Sequence, residues 1–541
     1  MVGAVVNLAY SARASIVAYD FNVSWVIANP DAAFSRSVIG INGQWPPPTM
    51  RASVGDTILV NVYNNLGNQS TSLHFHGLSM QGTPHMDGTA QGSQCAILPG
   101  SSFQYNFTVD QPGTYWYHSH HHIQYPDGLR GLLIIDDPDS PYKSAYDAEI
   151  VLSLSDWYHS QMPGLLPKYM STSNRMAMEP IPESNLMNDS QNINVPIEPN
   201  STYLFRLANI GAFMGQYFWI EGHKMSIVEV DGVYTKPAEA EMVYLAAGQR
   251  CSVLLTTKEE ATSNYPIIAE SDTASPLGCE SSVMRHHNSV FGWLEYDSSL
   301  PNPHPQPVDQ YNVLDDMTLV PYDEQPLLLE PSQIVTLDMN MNILEDGVTH
   351  WALNDVSYSP PETPTLYTAL TSGESATAPE TYSSQANTII LNHNETVELI
   401  INNRHMGRHP FHLHGHQFQA VYRSDNWAGS FSDLEVNEDI YPRSPVRRDT
   451  MVVNPGGSLV LRFRADNPGV WLFHCHMEWH AYSGLVVTFV EAPLLLQQQM
   501  SINSLPKSHL DVCSKTGLSL VTDIDMQEEE SPQSEDVPVD E

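Results

Sequence analysis

Four short stretches of the chain crowd imidazoles together: LHFHG (His74, His76), WYHSH (His118, His120), HPFHLHGH (His409, His412, His414, His416) and HCHMEWH (His474, Cys475, His476, His480). In extended backbone residues i and i+2 share a face, and beside a cluster the two rings can also diverge toward neighbouring metals. One His-x-His alone is as well explained by two half-exposed rings on a strand. Four of them, each in an aromatic strand context, point to metal. Neutral imidazole suits copper, zinc, iron or nickel, whereas a cysteine with two histidines and a weak axial ligand is a blue-copper set. His409, Cys475 and His480 supply that set. Leu485 stands ten residues after the cysteine, where a methionine could serve as the axial ligand, so the site is expected to be strongly oxidising. His474 and His476 can face other metals, which would make Cys475 a through-bond link between sites.

The elements that must carry these residues are strands. DTILVNVYNN, SFQYNFTV, TYLFRLAN, ETVELIINN and GSLVLRFRAD alternate apolar and polar residues between Gly, Pro and Asn turns. Short strands at this spacing make β-sandwiches or barrels. A phrase also recurs: a polar-aliphatic strand, then a His or Phe cluster, then a Pro-Gly corner before another strand, as in QPGTYWYHSH and NPGVWLFHCH. Recurrence of this kind marks copies of one domain. The first and third copies keep their histidines, and the middle one, NIGAFMGQYFWIEGH, has mostly lost them. The expected organisation is an N-terminal segment (1–19), three β-domains (20–140, 141–300, 326–500) with a Pro-rich linker (301–325), a C-terminal segment tied to the first domain (501–520) and an acidic disordered tail (521–541).

Several classes are excluded by composition. A chain of 541 residues is too long for one core, since cores rarely exceed about 250–300 residues. The formal charge of −39 opposes binding to nucleic acid or anionic lipid. No apolar run is long enough to span a bilayer as a helix. The N-terminus has a short apolar stretch without a basic leader and reads as a signal remnant. Asn-x-Ser/Thr acceptors at Asn22, Asn68, Asn106, Asn188, Asn200 and Asn394 favour a secreted or cell-wall glycoprotein. With Cys475 assigned to metal, Cys95, Cys251, Cys279 and Cys513 can form two disulfides in three ways. Closeness in sequence pairs Cys251 with Cys279 and leaves Cys95 for Cys513.

The four motifs resemble those of the multicopper oxidases, over about residues 20–513. The resemblance implies three cupredoxin domains and four copper ions: one type 1 copper in the third domain, and a type 2 and two type 3 coppers between the first and third. Carried over by motif, the type 1 ligands are His409, Cys475 and His480. The type 2 ligands are His74 and His412, and the type 3 ligands His76, His118, His120, His414, His474 and His476. His121, His122 and His416 adjoin the motifs without being ligands. Asp87 and Glu478 stand where similar enzymes keep acids that donate and relay protons during reduction of O2 to water.

HCHMEWH, YPRSPVRRDT, FRADNPGVW and AMEPIPESNLMND look most like the fungal iron-uptake ferroxidases and the related soluble pigment laccases. In those ferroxidases a Glu and an Asp bind Fe(II) beside the type 1 site. Glu179 keeps the first position, and His405 replaces the second. Those ferroxidases also carry a C-terminal membrane helix, which this chain does not show. Both departures lead to an expected secreted, monomeric oxidase of phenols such as naphthalenediols, with Glu179 accepting the phenol proton. The alternatives are an Fe(II) ferroxidase, and a copper-binding protein without catalysis.

Overall fold

The computed structural model describes residues 14–273 and 289–516. Its strands form six sheets arranged as three successive pairs, spanning residues 16–136, 148–295 and 333–491. Strand Thr57–Asn64 shows the burial alternation its sequence implies, and so does Ser102–Thr108. Thr202–Asn209, Thr396–Asn402 and Ser458–Arg464 have the same polar-apolar pattern yet are buried on both faces along most of their length. Their polar members are paired instead of solvated. Arg206 meets Glu149 at 2.6 Å and Arg462 meets Glu398 at 2.6 Å. Buried charge is tolerated when it is paired in this way.

In the first pair, one sheet runs Arg36–Ile41, Ile16–Ala28, Thr57–Asn64, Ser102–Thr108, and the other Met50–Ser53, Arg130–Asp136, Gly113–His118, His74–His76. Ile16–Ala28 is parallel to Thr57–Asn64 and antiparallel to Arg36–Ile41, so the chain crosses between sheets. The second and third pairs each combine a six-stranded with a five-stranded sheet. This is the all-β, three-domain cupredoxin-like architecture. The strand beginning at Ile16 starts inside the expected N-terminal segment. The Pro-rich stretch after residue 300 lies against the second pair through the bridges Thr235–Pro321 and Met242–Val313.

Strand register brings the histidines together. His74 is opposite His118 in the first pair, and in the third His412 is opposite His474 and Phe411 opposite Cys475. Each motif therefore reaches its partner across one antiparallel ladder.

Cys95 and Cys513 form a disulfide that seats the helix Lys507–Lys515 on the first domain, with Val512 and Cys513 in that domain's core. It closes a loop of 418 residues. Cys513→Ser should cost about 2–5 kcal/mol, the usual effect of losing a native disulfide. The readout is the denaturation midpoint, and an unchanged midpoint would contradict the structural role. The expected Cys251–Cys279 bond is not supported: Cys251 is a buried free thiol in strand Arg250–Thr256, packed into the second domain's core. Cys279 lies outside the described residues, as does the acidic tail. Closeness in sequence was a poor guide because strand direction, not spacing, decides where a thiol points.

Candidate metal centre

His409 Nδ1, His480 Nδ1 and Cys475 Sγ form a buried triangle with sides of 3.1, 3.4 and 3.6 Å. Its centre lies about 2.0 Å from each atom, the length of a transition-metal bond to nitrogen. The far ring nitrogens are already engaged, which leaves both Nδ1 lone pairs for that centre. His480 Nε2 donates to Glu179 Oε1 at 2.5 Å. His409 Nε2 is 3.1 Å from His405 Nδ1, which also accepts the Gly407 N–H at 3.2 Å. Burial, reinforced by Glu179, pushes the Cys475 thiol well above its ordinary range, so its thiolate needs a cation beside it. Leu485 is fully buried and bonds the neighbouring backbone: it accepts from Cys475 N–H at 3.1 Å and donates to His480 O at 3.0 Å. Its side chain offers no ligand atom. The Trp351 ring lies 4.5 Å from the His480 ring and 5.2 Å from the His409 ring.

Three more triads gather the remaining ligand candidates: His74, His76 and His412; His76, His118 and His476; His120, His414 and His474. Ring orientation tests whether they suit metal. His74, His118 and His412 each place Nδ1 within 2.6–2.9 Å of a backbone carbonyl, of Asp87, Ser119 and Asp449 respectively. Their Nε2 atoms are buried without a hydrogen-bond partner among the described residues. His414 Nε2 faces His474 Nε2 at 3.1 Å, while their Nδ1 atoms are taken by Asp87 and by the Cys475 carbonyl. His476 Nε2 faces His76 Nδ1 at 3.1 Å. Lone pair opposite lone pair is unfavourable unless a cation lies between them. Burial, with repulsion from neighbouring rings, holds His118, His474 and His476 well below the ordinary imidazole range and His120 at about 3. These rings are neutral, as metal ligands must be. The donor sets fit copper.

Two carboxyl groups have been pushed apart. Burial alone would raise Asp87, but the rings of His414 and His74, 3.1 and 3.3 Å away, outweigh it and hold the carboxyl well below the usual range. Glu478 opens the short helix Glu478–Tyr482 that carries His480, and burial holds it well above the usual range. The environment of the first favours the carboxylate that orients rings, and that of the second favours the protonated acid. Such a separation is the mark of divided acid and base roles.

Asp449 and Thr450 were not foreseen as site residues, although they lie in the quoted YPRSPVRRDT. Asp449 Oδ1 is 3.4 Å from both His76 Nε2 and His412 Nδ1. His405, which replaces the second ferroxidase carboxylate, lies half-buried against His409, and burial lowers it to about 4. His416 is buried, bonded to Glu491 at 2.9 Å. His121 is half-buried and His122 exposed. None of these last three belongs to a triad.

Sequence models of the multicopper oxidase family match residues 22–140, 148–297 and 358–494. The chain is a multicopper oxidase. Oxidases of this type carry four copper ions, and the three cluster triads and the Cys475 triad are suited to them. The oxidase is 55% identical over 507 residues to the iron transport multicopper oxidase FET3 of Gibberella zeae, covering 94% of this chain and 80% of that protein. It is 40% identical to FET3 of Saccharomyces cerevisiae over 515 residues, 94% and 80% of the two chains. The crystal structure of Fet3p, described as a multicopper oxidase that functions in iron import, superposes with a TM-score of 0.89 at 40% identity over 93% of this chain and 96% of that one. A laccase from Botrytis aclada gives 0.81 at 27% identity, over 93% and 92%.

These likenesses overturn the expected preference for phenols. That expectation weighed His405 and the missing C-terminal helix above the rest of the chain. The chain spans about 80% of the length of the relatives, so where it ends carries no argument. His405 contacts the His409 ring, and Glu179 bonds His480. Among the described residues no helix is long and apolar enough to cross a membrane.

Proposed function

We propose that this oxidase is an Fe(II) oxidase that couples the oxidation of four ferrous ions to the reduction of one O2, with four protons, to two waters. The observation that carries the reading is the contact between Glu179 and His480. Glu179 is 7% exposed, and its Oε1 lies 2.5 Å from His480 Nε2. A carboxylate that touches solvent and a ligand ring at once can hold a hard ferrous ion one hydrogen bond away from the Cys475 triad. Its oxygen favours Fe(III), which makes iron the better donor.

In this reading His409, Cys475 and His480 hold type 1 copper. His74 and His412 hold type 2 copper, and His76, His118, His120, His414, His474 and His476 hold the type 3 pair. Copper in these sets supplies one-electron acceptor chemistry and O2 binding. The protein's own groups do the rest. Glu179 positions the iron, and the Cys475 backbone joins its triad to His474 and His476, which belong to two of the other three. Asp87 fixes the His74 and His414 rings, and Glu478 keeps a proton for delivery. His405 lines the donor side of His409. A secreted or cell-wall location fits the Cys95–Cys513 disulfide and the six Asn-x-Ser/Thr asparagines, all of which are exposed.

Steady-state rates for Fe(II) and for a diphenol on one copper-loaded sample test the reading. The expected result is a kcat/KM for Fe(II) well above that for the diphenol. The reverse order would refute it.

A further inference from the structure

The middle domain contributes no residue to any of the four triads, yet it touches the cluster in two places. Gly248 sits with φ +88°, and a Cβ there would come within 3.1 Å of the His476 and His76 rings. Two residues later Arg250, fully buried, reaches into both neighbouring domains. Its Nε donates to Thr114 O at 2.9 Å in the first. Its two terminal nitrogens bind Asp449 in the third as a parallel fork, at 2.7 and 2.5 Å. Fork geometry of this kind fixes a carboxylate in orientation as well as in place.

Arg250 is itself held from outside. Its backbone N–H donates to Asp231 Oδ1 at 2.7 Å, and Asp231 takes Arg448 through two bonds of 2.8 and 3.1 Å. Arg448 continues to Asp316 at 3.0 Å. Gly77, next to His76 in sequence and with φ +92°, leaves room for the fork: a Cβ there would collide with the Arg250 guanidinium and with Asp449.

The clamped Asp449 acts on two ligand candidates from different domains. Thr450 Oγ1 donates to Asp449 Oδ1 at 2.9 Å, and so turns its lone pairs to His76 Nε2 at 3.3 Å and His412 Nδ1 at 3.2 Å. With acceptors there, His76 carries its proton on Nε2 and His412 on Nδ1. The free lone pairs are then His76 Nδ1 and His412 Nε2, which are the atoms turned toward the triads. The two rings need opposite tautomers: the carboxylate-hydroxyl pair selects that of His76, and for His412 it adds to the Asp449 backbone carbonyl, which lies 2.9 Å from Nδ1.

We propose that Arg250, supplied by the domain without copper ligands, is a positioning residue of the trinuclear site: by clamping Asp449, whose carboxylate orients His76 and whose backbone carbonyl orients His412, it fixes both rings and so sets the type 2 end of the cluster. The middle domain is then a working wall of the centre and not a spacer. The inference rests on the ligand assignment proposed above.

The test compares copper-loaded wild type with Arg250→Met and Arg250→Lys, by copper content and by the electron paramagnetic resonance spectrum of type 2 copper. The type 1 visible band serves as the folding control. Loss of a group that orients a ligand typically costs 10–100-fold in metal affinity. Arg250→Met should therefore keep the type 1 band while binding type 2 copper about 10–100-fold more weakly, with an altered type 2 spectrum. Arg250→Lys keeps the charge but loses the fork, and should fall between the two. If Arg250→Met does not fold, the lysine variant decides. Wild type binding four copper ions upholds the ligand assignment; given that, a type 2 spectrum and copper content unchanged in the folded variants would overturn the role of Arg250 alone.

Discussion

Cys475→Ser should leave a folded, colourless protein in which turnover with any donor falls to background while the cluster copper stays bound. The thiol is the soft ligand that gives such a site its intense charge-transfer colour, and a serine hydroxyl cannot replace it. The cysteine also lies at the end of a strand whose two neighbours, His474 and His476, belong to different triads. Its loss therefore removes one triad's sulfur without removing a ligand from the others. Absorption spectroscopy together with copper analysis reads the result. Full activity in this variant would contradict the role given to Cys475, and loss of all copper would show that the triads do not load independently.

Glu179→Ala should lower kcat/KM for Fe(II) by about 10–100-fold, the scale found when a partner of a ligand histidine is removed. Two effects combine. The hard oxygen that holds iron disappears, and His480 Nε2 loses its acceptor, which frees the ring to turn. An outer-sphere donor that needs no metal-binding group separates them, because it senses the ring but not the iron site. The loss should be clearly larger for Fe(II). Equal losses for both donors would remove Glu179 from the iron site and leave it as a prop for His480.

The four histidine motifs made the metal chemistry legible because metal ligands have to cluster in pairs on strands, and strands write their pairs at spacing i, i+2. The β architecture was legible for a similar reason, from alternation and corner residues. What could not be read were contacts that join distant parts of the chain. Arg250 and Asp449 are 199 residues apart. Neither carries a local signal, since a buried arginine and a surface one look alike in sequence. Strands Thr202–Asn209 and Thr396–Asn402 look half-exposed by pattern but are buried, because their charged residues found partners on other strands. Cys251 shows the opposite error: a short sequence distance to Cys279 suggested a bond, while its strand turns the thiol into the core. The expected preference for phenols rested on two local departures, His405 and the absence of a C-terminal helix, and the likeness of the whole chain to iron transport oxidases overrides both.

Fe(II) added without oxygen to the copper-loaded protein addresses the central claim most directly, with the visible thiolate band as the readout. The account predicts that the band bleaches on adding Fe(II), returns when oxygen is admitted, and that four Fe(II) are consumed for each O2. A band indifferent to Fe(II), or one that bleaches and never returns in air, would contradict it.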